Sequence, residues 1–385
     1  MQRRSMVVAG SIVPVVFAAG LLVAGPLSPP VGSVTSSYKT LGEVEPRIAL
    51  SAANTPGDGV SVFRITQPGS YYLTGNLSVP TGRSGVVIAA GGVTLDLSGY
   101  QISGQSGSLS GVTTLGAAHT NVTLRNGTIA VMGGDGVALG ETNSGTIENV
   151  HVRSAGGNGI LVGRSSLLRD SSVSTSGANG IVLGFASIAE RCTSLANAAS
   201  GFVSEFGATL RTCSARDNSG AGFEVNQSSL IDCFSSSNDG NGFETGFRSR
   251  LVGCTSQHNL LVGIRGLDGA TIEGCMVTNN ARQGIHVSNQ CLVSKNHVTF
   301  NGGTTYAGIW LDGVGNRCED NLASSNAYGL FTGGSDNFVV RNTCRANTLS
   351  NFITQNVNSN EVAPVISNPG GGGFSTATPW SNFIH

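Results

Sequence analysis

Short runs in which apolar and polar residues alternate recur along most of this sequence. Examples are "GIRGL", "ATIEGC" and "MVT", which are separated by glycine, asparagine or serine. Alternation with a period of two predicts β-strands, and the glycine and asparagine clusters predict tight turns. Few stretches show the 3.6-residue period of an amphipathic helix. The pattern therefore predicts an all-β protein built from short strands.

The runs belong to a repeat of about 21 residues that marks three columns of equivalent positions. The first column holds a glycine that precedes an apolar residue, at Gly136, Gly159, Gly180, Gly201, Gly222, Gly242, Gly263, Gly284, Gly308 and Gly329. The second column holds asparagine, at Asn197, Asn218, Asn238, Asn259, Asn280, Asn301, Asn326 and Asn347. The third column reads Val150, Ser171, Cys192, Cys213, Cys233, Cys254, Cys275, Asn296, Asn321 and Asn342. Three strands in each repeat, stacked on the next repeat, predict a right-handed parallel β-helix, because such crossovers are right-handed in nearly all proteins.

The asparagine column has a physical reason in a stack of coils. Asparagine tolerates the left-handed backbone conformation, and its amide can bond the same amide one coil away, about 4.8 Å along the axis. Two other repeat folds fit less well. Leucine-rich repeats need an L-x-x-L-x-L run, and left-handed hexapeptide helices need a six-residue period within each coil. Neither pattern is present.

The ends of the chain are less regular than residues 91–360, which we assign to the β-helix. Residues 38–90 are expected to form an N-terminal cap and the first strands, with the aromatic-rich segment 61–79 covering the open first coil. An uncovered strand edge would otherwise invite aggregation. Residues 361–385 lack the coil pattern, so they are expected either to be flexible or to fold back on the last coil.

The N-terminus has the features of an export signal. Arg3 and Arg4 precede a nearly unbroken apolar run, which is followed by the turn-forming stretch "PLSPPVGS". This order of charged, apolar and small residues predicts a secretory signal over residues 1–25, with 26–37 as a linker. The alternative is an uncleaved N-terminal anchor, because the run is close to membrane-spanning length. Either way, the protein is expected to be secreted or held in the cell envelope.

Four N-terminal stretches resemble those of a known group of proteins. "YKTLGEVEPRIAL", "PGSYYLTGNL", "GVTLDLSGY" and "VTLRNGTI" are similar to the opening of secreted bacterial right-handed β-helix repeat proteins. The coils also resemble the repeat that pectate-lyase-like proteins share with nitrous-oxide accessory periplasmic proteins. The resemblance covers about residues 38–360 and implies the fold and export. It says little about activity, because one fold hosts many functions.

Eight cysteines in an exported protein raise the question of disulfides. Five of them share the third column, and the other three fall in columns of small or apolar residues. Side chains stacked in one column point the same way, with Cβ atoms about one coil apart, beyond the roughly 3.8 Å that a disulfide prefers. We therefore expect eight buried, reduced thiols. No C-x₂-C spacing or histidine cluster suggests zinc, and no aspartate cluster suggests calcium, so we predict neither a metal nor a cofactor.

One surface holds the candidate functional residues. The second residue after each first-column glycine is expected to point outward, because side chains alternate along a strand. This outward column reads Ala138, Leu161, Val182, Val203, Glu224, Glu244, Arg265, His286, Trp310 and Phe331. A parallel outward column two residues further on includes Glu205, Asn226, Ser288 and Asp312. Tyr306 lies in an insertion before the Trp310 coil and is expected to form a wall beside the indole.

This mixture of side chains suits a sugar-binding groove. An aromatic ring can stack on a sugar ring, and charged groups can bind hydroxyls or uronate carboxylates. The predicted substrate-binding residues are Arg265, Trp310, Asp312 and Tyr306, and the candidate catalytic residues are Glu224, Glu244 and His286. The alternative is a solvated strand surface with an Arg/Glu ladder and one exposed tryptophan. The aliphatic half of the column is expected to lie under the N-terminal segment.

Three function classes stay open. The first is an exported protein that binds or organises cell-surface or extracellular polysaccharide. The second is a polysaccharide lyase, hydrolase or epimerase, although the Arg-Pro-x-x-Arg of pectate lyases and the Asp-Asp, Gly-His-Gly and Arg-x-Lys motifs of polygalacturonase-type hydrolases are missing. The third is a structural or accessory protein that contacts another protein. A net charge of -1, with 11% charged residues, gives no basic face for nucleic acid. Membrane contact is expected only through an uncleaved anchor.

Overall fold

A computed structural model of the chain describes residues 47–116, 119–355, 359–367 and 379–384. All regular structure within these ranges is β, as the sequence predicts. None of the described segments forms a helix of the length and apolarity needed to span a membrane. The predicted signal or anchor (1–25) and linker (26–37) lie outside the described residues, so both stay predictions.

The described residues wind into coils, and the parallel strands of successive coils form three faces. The first face is a 15-stranded sheet. Its strands are Ser61–Ile65, Ser84–Ile88, Val112–Thr114, His119–Thr120, Val137–Asn143, Ile160–Arg164, Ile181–Leu183, Phe202–Ser204, Phe223–Val225, Phe243–Thr245, Ile264–Gly266, Ile285–Val287, Ala307–Leu311, Tyr328–Thr332 and Ser350–Thr354. Each pairs in parallel with a strand of an adjacent coil, as Phe223↔Phe243 does, so equivalent residues of successive repeats lie side by side.

The second and third faces belong to one 28-stranded sheet, because two long strands, Thr123–Ala130 and Thr146–Arg153, run across both. The other strands of the second face are Ile48–Ala49, Gly69–Tyr72, Val93–Asp96, Leu167–Arg169, Ile188–Glu190, Thr209–Arg211, Ser229–Ile231, Arg250–Val252, Thr271–Glu273, Leu292–Ser294, Arg317–Glu319, Phe338–Val340 and Glu361–Val362. Those of the third face are Leu77–Val79, Gln101–Gly104, Ser172–Ser174, Thr193–Leu195, Ser214–Arg216, Phe234–Ser236, Thr255–Gln257, Met276–Thr278, His297–Thr299, Leu322–Ser324, Thr343–Arg345, Val365–Ser367 and Asn382–Ile384.

The core consists of inward side chains that stack along the axis. Phe202, Phe223 and Phe243 are fully buried, and their ring centroids are 4.9 and 4.8 Å apart with 7° between planes. This separation matches the spacing of neighbouring strands. Like side chains therefore lie directly over one another, and each fully buried phenylalanine stabilises the fold by about 1.5–3 kcal/mol.

The asparagine column forms the predicted ladder. From Asn197 to Asn347, each side-chain Nδ2 donates to the Oδ1 of the next asparagine at 2.8–3.4 Å. The expected left-handed backbone of these asparagines is wrong, however. The left-handed residue is the one before each of them, as at His258 with φ 55° before Asn259. The turn at that residue directs the following side-chain amide into the interior, where its bonds to the next amide and to nearby backbone groups account for asparagine.

Two further ladders occupy the other corners of the coils. In the third column, Asn296, Asn321 and Asn342 continue the line of cysteines with Nδ2 to Oδ1 bonds of 2.9 Å. At the corner between the first and second faces, the Oδ1 atoms of Asn337 and Asn360 accept the backbone N–H of the preceding coil at 2.9 Å. This last ladder was not predicted, because serine, alanine and cysteine occupy its earlier coils.

The first-column glycines make room for the asparagine ladder. A Cβ at Gly242 would lie 2.5 Å from the carbonyl oxygen of Gly263 and 2.7 Å from Nδ2 of Asn259. Real Cβ atoms essentially never approach other atoms so closely. Glycine and asparagine therefore recur in the same phase because the backbone of one coil packs against the ladder and the next coil.

The N-terminal end of the β-helix differs from the sequence-based expectation, whereas the C-terminal end follows one of the two expected alternatives. Parallel pairing begins with Ile48–Ala49 on Gly69–Tyr72, so the coils start well before residue 91. The segment 61–79 does not cover the first coil but contributes strands to it, since Tyr71 and Leu73 are core residues. At the other end, Asn382–Ile384 pairs with Thr343–Arg345, which is the fold-back alternative for the tail.

All eight cysteines are buried and free, as the column positions predict. Six of the thiols bond backbone carbonyls, for example Cys254 Sγ with the oxygen atoms of Leu230 and Val252 at 3.6 Å. Burial raises the pKa of the Cys291 thiol to about 11. That thiol therefore behaves as a small core side chain rather than as a nucleophile.

Candidate functional site

Six residues of the predicted outward column form a continuous ladder on the first face. This charged–aromatic column consists of Glu224, Glu244, Arg265, His286, Trp310 and Phe331, each directly opposite the next. Each outward side chain stands between inward neighbours, as Glu244 does between buried Phe243 and Thr245. Five steps of roughly 4.8 Å give the column a length of about 24 Å.

The charged end of the column is held by local hydrogen bonds. Glu224 Oε2 accepts a bond from Ser200 Oγ at 3.0 Å, and Glu244 Oε2 accepts one from Asn241 Nδ2 at 3.0 Å. Glu244 Oε1 lies 3.3 Å from Nη1 of Arg265, and the two side chains are 41% and 45% exposed. A pair this exposed is worth less than about 1 kcal/mol, but it compensates the charge of the predicted uronate-binding arginine.

His286 joins the charged end to the aromatic end. Its Nε2 lies 3.3 Å from Oδ2 of Asp312, and the two side chains are 20% and 54% exposed. Burial lowers the pKa of His286 below 6.5, and the bond to Asp312 offsets part of that shift. The imidazole is therefore neutral at neutral pH. Because a carboxylate only accepts hydrogen bonds, we assign the proton to Nε2, which leaves Nδ1 as an acceptor.

Trp310 does not offer both faces of its ring to a ligand. The imidazole of His286 stacks on the indole, with centroids 4.9 Å apart and 15° between planes. The imidazole therefore covers the face of the indole that lies toward the preceding coil, because aromatic side chains one coil apart stack along the axis. Phe331 contacts the indole edge-on at 5.6 Å and 73°. A side chain at Gly333 would come within 3.1 Å of the indole Nε1, so glycine there leaves room for the ring.

Aromatic residues beside Trp310 enclose a recess of about 220 Å³. This aromatic recess is lined by Thr305, Tyr306, Ala307, Trp310, Tyr328 and Phe331. Tyr306 thus forms the wall that the sequence predicts. It ends an insertion that turns sharply through Gly302 and Gly303, both of which have positive φ.

Tyr328 is the aromatic residue of the recess that sequence reasoning missed. It immediately precedes the first-column Gly329 and pairs with Ala307 of the coil before. The signal was present in the repeat, because the residue before each glycine lies at the rim of the first face. Only the contact between its ring and Phe331, at 6.2 Å, shows that it completes an aromatic cluster.

The structure separates the three candidate catalytic residues along the axis. Glu224 and Glu244 are on adjacent strands, whereas His286 lies two coils beyond Glu244, about 10 Å away along the axis. Arg265 stands between them. No hydrogen bond joins any two of the three among the described residues, and those residues contain no group of three His, Cys, Asp or Glu side chains that could hold a metal ion.

The aliphatic half of the outward column is only partly covered. Leu161, Val182 and Val203 are half-buried. The N-terminal segment that was expected to cover them lies in part before residue 47, outside the described residues. Its described part, from residue 47 onward, forms coils instead.

Comparisons with known proteins agree with this architecture. A family model for the right-handed β-helix region matches residues 110–261. No curated protein sequence matches the chain. The A-module of the Azotobacter vinelandii mannuronan C-5 epimerase AlgE6 is 19% identical and covers 82% of this chain and 89% of its own, with a TM-score of 0.57. The AlgE4 A-module from the same organism is also 19% identical and covers 71% and 86%, with a TM-score of 0.52.

Identity at this level speaks to the fold alone. The parallel coils, the matched family region and the shared architecture agree with one another, and they agree with the 21-residue repeat. The chain is a right-handed parallel β-helix protein.

Proposed function

We propose that this protein binds a polysaccharide along its first face, with sugar units lying over the charged–aromatic column. One observation supports this most: the column is continuous over six coils and ends at the aromatic recess. Sugar rings present apolar patches and hydroxyl groups, so aromatic side chains beside hydrogen-bonding groups suit them. A run of about 24 Å favours a chain over a single sugar.

The known proteins of this fold are compatible with the proposal. The two epimerase modules act, by their names, on mannuronan, which is a polysaccharide. That activity is theirs, and at 19% identity it supports only the general idea that a β-helix face can hold such a chain. Their reaction is not transferred to this protein.

We also propose that the protein is exported and binds or organises polysaccharide at the cell surface or outside the cell. The charged and apolar N-terminal sequence supports this. N-terminal sequencing of the protein recovered from envelope and culture fractions tests it. A mature N-terminus near residue 25 is expected, and recovery only from the cytoplasm would contradict export.

A glycan array followed by affinity electrophoresis tests the binding face. Trp310→Ala should weaken binding about tenfold or more, because a buried aromatic contact is worth about 1.5–3 kcal/mol. Arg265→Ala should have a smaller effect, since its exposed ion pair is weak. Trp380→Ala is the matched control, because the only other tryptophan in the sequence lies against Arg341, away from the column. Val182→Ala is a second control.

One pair of results would exclude the first face as the glycan-binding surface. If Trp310→Ala and Arg265→Ala both bind glycan as the unchanged protein does, the column is not the binding surface. If Trp310→Ala is unstable, Tyr306→Ala repeats the test from the insertion, outside the regular coil.

One observation favours a catalytic form of this function. The neutral imidazole of His286 has a carboxylate partner, and its Nδ1 makes no hydrogen bond within the described residues, so it can accept a proton in general-base catalysis. His286→Gln should then abolish turnover of a bound polysaccharide while affinity stays within about twofold. Glu224→Gln and Glu244→Gln test the carboxylates in the same way. Product analysis that finds no turnover by the unchanged protein would leave binding as the function.

A further inference from the structure

The lining of the aromatic recess limits which sugars can bind there. We propose that the recess receives a methyl group of a neutral sugar, either the C6 methyl of a 6-deoxyhexose or the methyl of an O-acetyl substituent. The inference rests on the proposed function, because it assumes that a glycan lies on the charged–aromatic column. Both groups present the same chemistry to the recess: a small apolar end on an otherwise polar ring.

The lining of the recess selects an apolar group. Its walls are the rings of Tyr306, Trp310, Tyr328 and Phe331, and Thr305 and Ala307 complete the lining. A sugar hydroxyl placed against the faces of these rings, out of reach of the tyrosine hydroxyls, would lose its water without gaining a partner, which is unfavourable. A methyl group in the same place would instead remove apolar surface from water.

The recess has room for one substituent and part of the sugar ring that carries it, but not for several sugar units. Its volume of about 220 Å³ corresponds to about seven water molecules at 30 Å³ each. Tyr306 and Tyr328 are half-buried, and their hydroxyl groups make no hydrogen bond within the described residues. Those hydroxyls can bond the sugar ring while its methyl group enters, so the ring stays over the column.

The charges on the face favour a neutral chain over a uronate. From Val203 onward the two outward columns contain four carboxylates and one guanidinium: Glu205, Glu224, Glu244, Asp312 and Arg265. The guanidinium is already paired with Glu244, and the lowered pKa of His286 keeps that side chain uncharged at neutral pH. A polyuronate would meet an excess of negative charge along most of the column.

Matched sugars test the inference with the full chain. L-Fucose and L-galactose differ only in the C6 methyl, as do L-rhamnose and L-mannose. Acetylated glucomannan and its alkali-deacetylated form differ only in the acetyl groups. Binding is followed by the fluorescence of Trp310 in a Trp380→Phe background, and saturation-transfer NMR identifies the protons in contact. The methyl-bearing member of each matched set should bind about ten- to a hundredfold more tightly, with strongest transfer to its methyl protons.

Variants of a recess residue test whether the recess causes the preference for methyl-bearing sugars. Tyr306→Ala should reduce the preference for the methyl-bearing sugar severalfold, whereas Tyr306→Phe keeps the wall and should retain it. Tyr100→Ala, an exposed tyrosine outside the recess, is the matched control. If only the 6-deoxy sugars bind more tightly than their matched partners, the recess receives the C6 methyl group. If only the acetylated polymer binds more tightly than its deacetylated form, the recess receives the acetyl group.

Other results would overturn the inference, and each is distinct. Equal binding within every matched set, with Trp310→Ala still defective, removes the methyl preference but leaves the polysaccharide proposal standing. Tighter binding of polygalacturonate than of neutral glycans at low ionic strength refutes the charge argument. Absence of binding to every glycan refutes the proposed function itself. A concentration-dependent dimer in sedimentation velocity that Tyr306→Ala abolishes would assign the recess to a second copy of the chain.

Discussion

Replacing Asn259 by alanine tests the asparagine ladder where the structure allows the loss to be worked out. The side chain is 1% exposed. Its Nδ2 donates to Oδ1 of Asn280 at 2.8 Å and to Oγ of Ser256 at 3.1 Å. Its Oδ1 accepts the side-chain Nδ2 and the backbone N–H of Asn238 at 2.9 and 3.1 Å. The same Oδ1 also accepts a bond from Oγ of Ser235 at 3.5 Å, so alanine at this position removes five bonds.

The size of the destabilisation depends on the buried polar groups that lose a hydrogen-bond partner when Asn259 is replaced. The amide of Asn238 keeps its bonds to Oγ of Ser235 at 3.0 Å and to the oxygen of Ala215 at 3.3 Å. Its backbone N–H keeps no acceptor, and a buried unsatisfied group costs about 1–3 kcal/mol. The lost side-chain bonds add about 1 kcal/mol net. Asn259→Ala should therefore lower the free energy of unfolding by about 2–4 kcal/mol.

Urea unfolding followed by circular dichroism measures this loss, with the midpoint read at unchanged slope. Gln257→Ala is the matched control. Gln257 lies two residues earlier, is half-buried, and its side-chain amide makes no hydrogen bond within the described residues. Its loss should change the free energy of unfolding by less than about 0.5 kcal/mol. If both variants unfold at the same midpoint, the ladder does not stabilise the coils and the reasoning fails.

Three further predictions follow from the core and from His286. Thiol titration of the denatured chain without reductant should find all eight cysteines free, and four disulfides would contradict the stacked-thiol core. Gly242→Ala should destabilise the fold by about 1–3 kcal/mol through overpacking. Gly75→Ala is the control, because a Cβ at Gly75 would have no atom within 4 Å, and it should not destabilise the fold. Equal urea midpoints for the two variants would refute the account of the glycine column. The unfolded chain takes up a proton at His286 first, so stability should fall as the pH drops from 6.5 toward the lower folded pKa. His286→Gln should remove that component, and an unchanged pH profile would show that burial does not shift the histidine.

The repeat by itself determined the fold and the register of the first face. A period of about 21 residues places equivalent residues one coil apart, and parallel pairing makes them neighbours. The order Glu224, Glu244, Arg265, His286 and Trp310 was therefore readable from the sequence, and each pair is in direct register. The buried cysteines and the asparagine ladder followed from the same period.

The corners and the ends were decided by the tertiary structure. Left-handed φ belongs to residues as different as Ala196, Phe300 and His258, because a turn imposes it on whatever residue stands there. The corner position with left-handed φ is therefore not marked by one residue type in the sequence. The irregular strands near both ends joined the β-helix because an open coil leaves hydrogen-bonding groups and apolar residues uncovered, and nearby chain fills them.

The ring orientations and the recess of the candidate site also depended on how side chains from different coils pack together. The period placed His286 beside Trp310, but only side-chain packing brought the imidazole flat onto the indole and left that face unavailable. The recess formed because Tyr306 from an insertion and Tyr328 from the next coil reach the same space. A repeat determines which residues are neighbours along the axis, whereas ring orientation and enclosed volume depend on side chains that meet from different coils.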